Sequence, residues 1–473
     1  MTGLQCYRLM FAGALLLFAG CPRPGPPNNA PPSAAAPLRV MVVDDPPLAA
    51  ALAREWLAHT ETKIDLVEVS ADKAAAAEQL PVDVVIYPPL LLGQFAAREL
   101  LLPLDEQALA DPDYARREIL PALKEVETTW GRRTMAVPLG SPQLALWYRA
   151  DLLAEKNLQP PKTWAEYATT VAAFAEKPAG LRPDANDWQA LAEPLADGWA
   201  ARLLLARAAA AALHRDQLSP LWNLETMEPL IAGPPWVRAL EQLATDNRGS
   251  ADPLLTPTQC YEKLQRGECA FAIGWPGVAT ESDKPLLLKS DQIGVAPLPG
   301  SSEMFQPATG KWESVASDES LHVPLLASSG RVASVTRASA QPKAATQFVL
   351  WLGGPTVSGR VSAMSAATTI FRTSHFQNGG SWQAPAPLKP HLVAYGALLF
   401  SQPEAGRRSA LPRIPGAAEY LTALDRAVLA TMKEEQTAEE SLKKAAEDWR
   451  AITDRRRVQQ QRQALRRSLG LGE

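Results

Sequence analysis

Thr134-Met-Ala-Val-Pro-Leu-Gly-Ser-Pro-Gln-Leu-Ala-Leu-Trp-Tyr-Arg-Ala-Asp-Leu-Leu153 is the stretch on which the fold turns. An apolar entry meets Pro138, then Gly140-Ser141-Pro142, then a second apolar run from Leu144 to Tyr148. Pro138 and Pro142 each remove a ladder donor and fix φ, so one continuous central strand is excluded. The pattern predicts two short extended pieces with a polar break, followed by a helix. A hairpin with a Gly-Ser-Pro turn fits the local pattern equally well. The flanking chain favours instead a ribbon that leaves one lobe and enters another.

Upstream, Leu38 to Val43, Ile64 to Val69 and Val82 to Tyr87 read as strands. Helical spacing through Leu48, Leu52 and Trp56, and an Ala-rich stretch from Asp72 to Leu80, separate them. This βαβαβ order predicts a parallel sheet with helices on its faces and ligands beyond the strands' carboxyl ends, near Asp44 and Tyr87-Pro88-Pro89. No glycine fingerprint follows the first strand, so a dinucleotide is not indicated.

Downstream, Thr163 and Glu166 form a capping box before Trp164, Tyr167, Val171 and Phe174. Residues 187–243 read as mostly helical, Pro257 to Leu264 as a short helix, and Glu268 to Pro276 as a buried strand. Asp291 to Gly300 is extended and Pro-broken, a candidate second crossing. Residues 301–322 read as polar and irregular, 323–335 as extended, and Pro342 to Leu352 as a helix. Loops rich in Ser, Thr, Pro and Gly then run to about Pro415, before two helices, Ala417–Lys433 and one capped by Thr437 with Glu440. The basic end from Arg455 reads as a solvated, fraying helix, with contact to anionic headgroups the lesser alternative.

The 473 residues suit two or three domains. An apolar fraction of 47% with 21% charged residues is that of a soluble globular chain, and a net charge of −4 gives no global pull towards nucleic acid. The N-terminus carries Arg8, an apolar core from Leu9 to Phe18 too short to span a bilayer, and Phe18-Ala-Gly-Cys21. That end resembles the bacterial lipobox, in which the cysteine is acylated; Phe18 stands where Leu is usual. A plain secretory signal is the alternative, and either implies export. Residues 22–37, rich in proline, read as an extended tether. Cys260 and Cys269 remain for the folded body, where outside the cytoplasm they could close a disulfide or stay as buried thiols.

Catalytic motifs are missing. No His-Glu-x-x-His helix, Cys-x-x-Cys, Gly-x-Ser-x-Gly elbow or phosphate loop is present, and Ala308-Thr-Gly-Lys-Trp312 lacks the loop glycine and hydroxyl residue. No metal or other cofactor is expected.

Several segments, in order, resemble the bacterial extracellular solute-binding proteins of ABC transporters, the sugar-binding family. They are Asp83-Val-Val-Ile-Tyr87, Ala136 to Gly140 continuing to Tyr148-Arg-Ala-Asp-Leu-Leu153, Pro161-Lys-Thr-Trp-Ala-Glu166, Gly267 to Pro276, Gly294 to Gly300, Pro342 to Leu352 and Thr437 to Ala446. The resemblance covers about Leu38 to Ile452. It implies an α/β fold of the two-lobe periplasmic-binding-protein type, class II, whose lobes are joined by crossing hinge strands and close around a solute. The implied division is a signal peptide to residue 21 and the tether 22–37. Residues 38–141 with about 295–353 would form lobe 1, 142–294 with about 354–454 lobe 2, and 455–473 a basic extension. It also implies an ABC permease partner, a membrane anchor at Cys21 in the periplasm or at the cell surface, a monomer, and no nucleic acid.

Carried over residue by residue, the first-lobe contact loop falls at Tyr87 to Leu90 with Pro88, and the hinge near Ser141 to Gln143. Aromatic faces fall at Trp199, Trp275 and Tyr420, where the stacking of sugar C–H patches competes with plain core packing. Asp44 is a candidate from the sheet reading alone, at the carboxyl end of the first strand. Pro88-Pro-Leu-Leu-Leu92 and Ser141-Pro142 replace polar or acidic groups common in relatives, so the polar half of a sugar site is thin. An exported carbohydrate-active enzyme and a cell-envelope scaffold with a degenerate site stay as alternatives.

Overall fold

The structure, a computed structural model, describes residues 36–178, 181, 188–248, 254–277, 288–316, 321–377, 380–383, 386–401 and 407–472. The expected signal segment, Cys21 and the tether up to residue 35 lie outside the described residues.

Twelve strands position the site. They are β1 (Arg39–Val43), β2 (Asp65–Val69), β3 (Val84–Tyr87), β4 (Val137–Pro138), β5 (Ala145–Arg149), β6 (Gln189–Ala192), β7 (Cys269–Gly274), β8 (Ile293–Pro297), β9 (Glu303–Gln306), β10 (Lys311–Ser314), β11 (Leu325–Leu326) and β12 (Val332–Val335). One sheet runs β2-β1-β3-β12-β4, with β1 parallel to β2 and β3, and β12 antiparallel to β3 and β4. A second runs β8-β5-β7-β6, antiparallel except for the β6–β7 pair. Pro138 sits at an edge of its sheet, where a missing donor costs no ladder bond.

β4 and β5 therefore belong to different sheets, so Leu139–Leu144 is a crossing and the hairpin alternative is excluded. The second crossing is not at Asp291–Gly300. β8 pairs along its whole length with β5, from Ile293 opposite Arg149 to Pro297 opposite Ala145. The chain returns to the first sheet only through Ala327–Arg331, between β11 and β12.

Thirteen of the helices among the described residues pack around these sheets. α1 (Pro46–Thr60) starts where Asp45 Oδ1 accepts from the Leu48 N–H at 3.3 Å. α2 (Leu92–Ala97), α3 (Ala150–Glu155), α4 (Trp164–Ala172), α5 (Ala200–Ala212), α6 (Pro234–Asp246), α7 (Pro257–Gln265) and α8 (Pro342–Gly353) follow. Trp56 of α1 meets Phe348 and Trp351 of α8 edge-on at centroid separations of 4.9 and 5.0 Å, which closes the outer face of the first half.

The segment expected to be loops holds α9 (Pro355–Val361), packed on α1, and α10 (Lys389–Phe400), packed against β8. The first is short and glycine-bearing, and the second is apolar on most sides, so neither shows a helical stripe. β9 and β10, expected to be irregular, form a hairpin pinned by Phe305 opposite Trp312 and turned at Gly310, whose φ is +66°. β6 is a strand inside the stretch read as helical.

α11 (Ala417–Met432) and α12 (Ala438–Arg455) pack on each other and on α5 and α6, with Leu442, Ala446, Trp449 and Ile452 buried. The expected frayed tail is instead a docked helix, α13 (Val458–Ser468), which buries Gln461, Ala464 and Leu465. It touches α2 and Thr129–Trp130 on the first half, while Arg466 Nη1 reaches Glu225 of the second at 3.4 Å. Its polar sequence hides this, because only three inward positions do the docking.

Candidate functional site at the seam between the two sheets

The two crossings lie side by side. The Leu139 N–H donates to Arg331 O at 2.8 Å, and the Arg331 N–H to Gly140 O at 3.0 Å. Gly330 has φ +102°, and a Cβ there would stand 2.6 Å from Ser141 Oγ. Only glycine lets the segments approach this closely.

Glu127 clamps both. Its Oε1 accepts from Ser141 Oγ at 3.0 Å and from the Ala327 N–H at 2.6 Å. Burial pushes this carboxyl up to about 7, although the Ala327 and Ser141 donors and the nearby Arg413 guanidinium pull the other way. Its Oε2 meets no donor within the protein. Nothing in the pattern around Glu127 singles it out in the sequence.

Asp44 is exposed at the end of β1 with φ +46°; its carboxylate accepts from the Ala71 N–H at 2.8 Å and its carbonyl from Arg331 Nη2 at 2.7 Å. Beside it, buried Asp45 pairs with Arg331 at 3.1 Å and accepts from Ser365 Oγ at 2.5 Å. Tyr87 is fully buried, hydrogen-bonded to Ser334 Oγ at 2.8 Å and edge-on to Phe95. Pro88 is half-buried and leads into the short turn Pro89–Leu91, which touches α11. Ser141 and Gln143 are buried in the first crossing, where the Gln143 N–H donates to Tyr395 Oη at 2.8 Å. Trp199 and Trp275 meet edge-on at 5.2 Å. Tyr420, fully buried on α11, bonds Thr453 Oγ1 at 2.9 Å and packs on Trp222 and Trp449; burial raises its hydroxyl to about 12.

The structure thus places Ser141 and Gln143 in the first crossing and Asp44 against the second, pairs Trp199 with Trp275, and commits Tyr87 and Tyr420 to internal bonds. Three unexpected residues join them. Arg202, above the Trp199 ring at 5.2 Å, donates to Ser328 O of the second crossing at 2.9 Å. Trp222 stacks on Trp449 at 4.6 Å, and its indole Nε1 finds no acceptor within the protein; the same holds for Trp275 Nε1. Arg413, buried beside Glu127, donates to Thr129 O at 3.2 Å and to Ser468 O, and burial lowers it to about 10. A cavity of about 160 Å³ lies here, walled by Glu125 and Val126 from the first half, Leu221 and Trp222 from the second, Arg413, and the end of α13.

A family model described as bacterial extracellular solute-binding protein matches residues 43–358. The chain belongs to that family. Solved structures similar to this solute-binding protein have the same two-lobe fold. One is an ABC-transporter solute-binding protein of Agrobacterium radiobacter K84 in complex with ribitol, 16% identical, with TM-score 0.63, covering 88% of this chain and 99% of the other. Another is the maltose-bound MalE3 of T. maritima, 17% identical, with TM-score 0.61 and the same coverage. The sugar-binding protein MalE of Xanthomonas citri is 20% identical, with TM-score 0.60, covering 89% and 98%.

Cys260 of α7 and Cys269 of β7 are both buried in this solute-binding protein, and no disulfide joins them, which corrects that alternative. Burial raises the Cys269 thiol to about 12, so it packs as a small apolar group. Among the described residues no group of three or more His, Cys, Asp and Glu side chains is placed to hold a metal ion. No described helix is long and apolar enough to cross a membrane.

Proposed function

We propose that this solute-binding protein is the exported receptor of an ABC importer, held at the membrane through lipidated Cys21. It captures a carbohydrate or polyol between its halves by hinge closure and passes it to a permease. No bond changes, so the work is preferential binding to the closed arrangement. The observation that carries the reading is Trp222, which walls the cavity at the seam and whose buried indole N–H finds no acceptor within the protein. Trp275 Nε1, beside Trp199, is a second unmatched donor, and Glu127 Oε2, at the crossings, an unmatched acceptor. A buried group without a partner is costly, and a polyhydroxylated solute can meet both kinds. Ribitol in the Agrobacterium relative and maltose in the T. maritima relative fit that chemistry.

The lobes of this reading meet at Leu139–Leu144 and Ala327–Arg331, with residues 293–314 in the second. The test is thermal unfolding with a panel of sugars, polyols and sugar phosphates. One of them raises the midpoint as RT ln(1 + [L]/Kd) requires, by roughly 2.7 kcal/mol at a hundredfold excess over Kd. Trp222→Ala abolishes that rise. Cys21→Ser moves the protein from the membrane to the soluble fraction. A panel without effect favours a second reading, an envelope scaffold, which the internal commitment of Tyr87 and Tyr420 supports.

A further inference from the structure

A larger cavity, of about 520 Å³, shares no wall residue with the one at the seam. It lies between α2, Trp130, Pro415 and the junction of α12 with α13. Five arginines line it, Arg98, Arg455, Arg456, Arg457 and Arg467, and no carboxylate does. Glu419, outside the lining, pairs with both Arg455 and Arg456. Arg98 donates to the Ala75 and Ala77 carbonyls at 3.2 and 2.6 Å. The local charge is thus strongly positive on a chain whose net charge is −4.

The backbone adds to this. Arg457 caps the first turn of α13 at φ +67°, a conformation that side-chain-bearing residues rarely adopt and that persists where the surroundings enforce it. The positive end of an eleven-residue helix opens beside it. Three lining residues also carry buried polar atoms that no protein group meets: the donors Trp130 Nε1 and Arg456 Nε, and the acceptor Gln461 Oε1. Gln461 is 2% exposed, and its Nε2 is already spent on Pro415 O at 2.9 Å.

We propose that this cavity binds a glycerol-phosphate group, a phosphate ester with a hydroxyl close by, either as a free ester or as the headgroup of an anionic phospholipid. Guanidinium forks match phosphate oxygens in pairs. The Gln461 acceptor is wrong for an anion and right for a hydroxyl, and the volume holds more than a bare ion.

The experiment uses the full chain carrying Cys21→Ser, so that acylation cannot hold it to a bilayer, at fixed ionic strength. Its probes are inorganic phosphate, sn-glycerol 3-phosphate, and phosphatidylcholine vesicles with and without phosphatidylglycerol, read by tryptophan fluorescence and co-sedimentation. Saturable binding of glycerol 3-phosphate at least threefold tighter than phosphate identifies a free ester. Binding only to phosphatidylglycerol vesicles identifies the headgroup. In either case Arg456→Gln with Arg457→Gln weakens binding at least tenfold. Gln463→Glu at the exposed rim, which disturbs no packing, weakens it at least threefold. Where the free ester binds, Gln461→Leu removes its preference over phosphate. No binding of any probe, or binding that these variants leave unchanged, overturns the proposal.

Discussion

Glu127, bonded to both crossings, is the group through which pH should reach the stability of the fold. Its carboxyl sits at about 7 in the fold against an ordinary value of 4.5, because burial penalises the charged form. A carboxyl raised on folding stabilises the fold fully below its unfolded value and loses that contribution as pH rises through its folded one. Stability should therefore fall between about pH 4.5 and 7, by up to roughly 3 kcal/mol. Glu127→Gln keeps an acceptor for the Ala327 N–H and removes the titration, so urea midpoints of the variant should be flatter over this range. Equal slopes in the two proteins would show that Glu127 is not the group responsible. This clamp was illegible beforehand, because its partners Ser141 and Ala327 come from two segments far apart in the chain. Asp44 at a strand end and Trp275 at an aromatic-proline corner were local signals, whereas Trp199 rested on the resemblance alone. Whether a ring faces a guest or a neighbour is a matter of packing, and Tyr420 against Trp222 and Trp449 could not be read from spacing.

At the level of elements, α13 shows how little apolar surface a docked helix needs. An eleven-residue, mostly polar segment does not hold a helix alone in water. Ala464 and Leu465 supply the apolar contact, and the Gly131 N–H bond to Arg467 O at 2.8 Å with the Gln461–Pro415 bond fixes the register. Leu465→Asp buries a charge at that contact and should cost roughly 2–4 kcal/mol. Limited proteolysis should then cut within residues 457–472 while the rest of the body resists. Uniform resistance would mean that the helix holds by its polar bonds alone. The strands of the first sheet and the capped helices α4 and α12 were legible, since alternation, caps and stripes are written in neighbouring residues. The β9–β10 hairpin and α10 were not, the former being short and polar and the latter apolar on most sides.

For the whole molecule, the two sheets are sewn together by more than a hinge. Glu127 and the Asp45–Arg331 pair fasten the first half to the crossings, and α13 touches both halves. Urea unfolding should accordingly be one transition, with fluorescence and far-ultraviolet dichroism superimposable. Separate midpoints would show halves that melt independently. The pairing of Leu139–Leu144 with Ala327–Arg331 also sets an order of assembly. Every partner of α13 precedes it in the chain, and domains form as the chain emerges. The contact that α13 makes with both halves can therefore form only after both of them have been made.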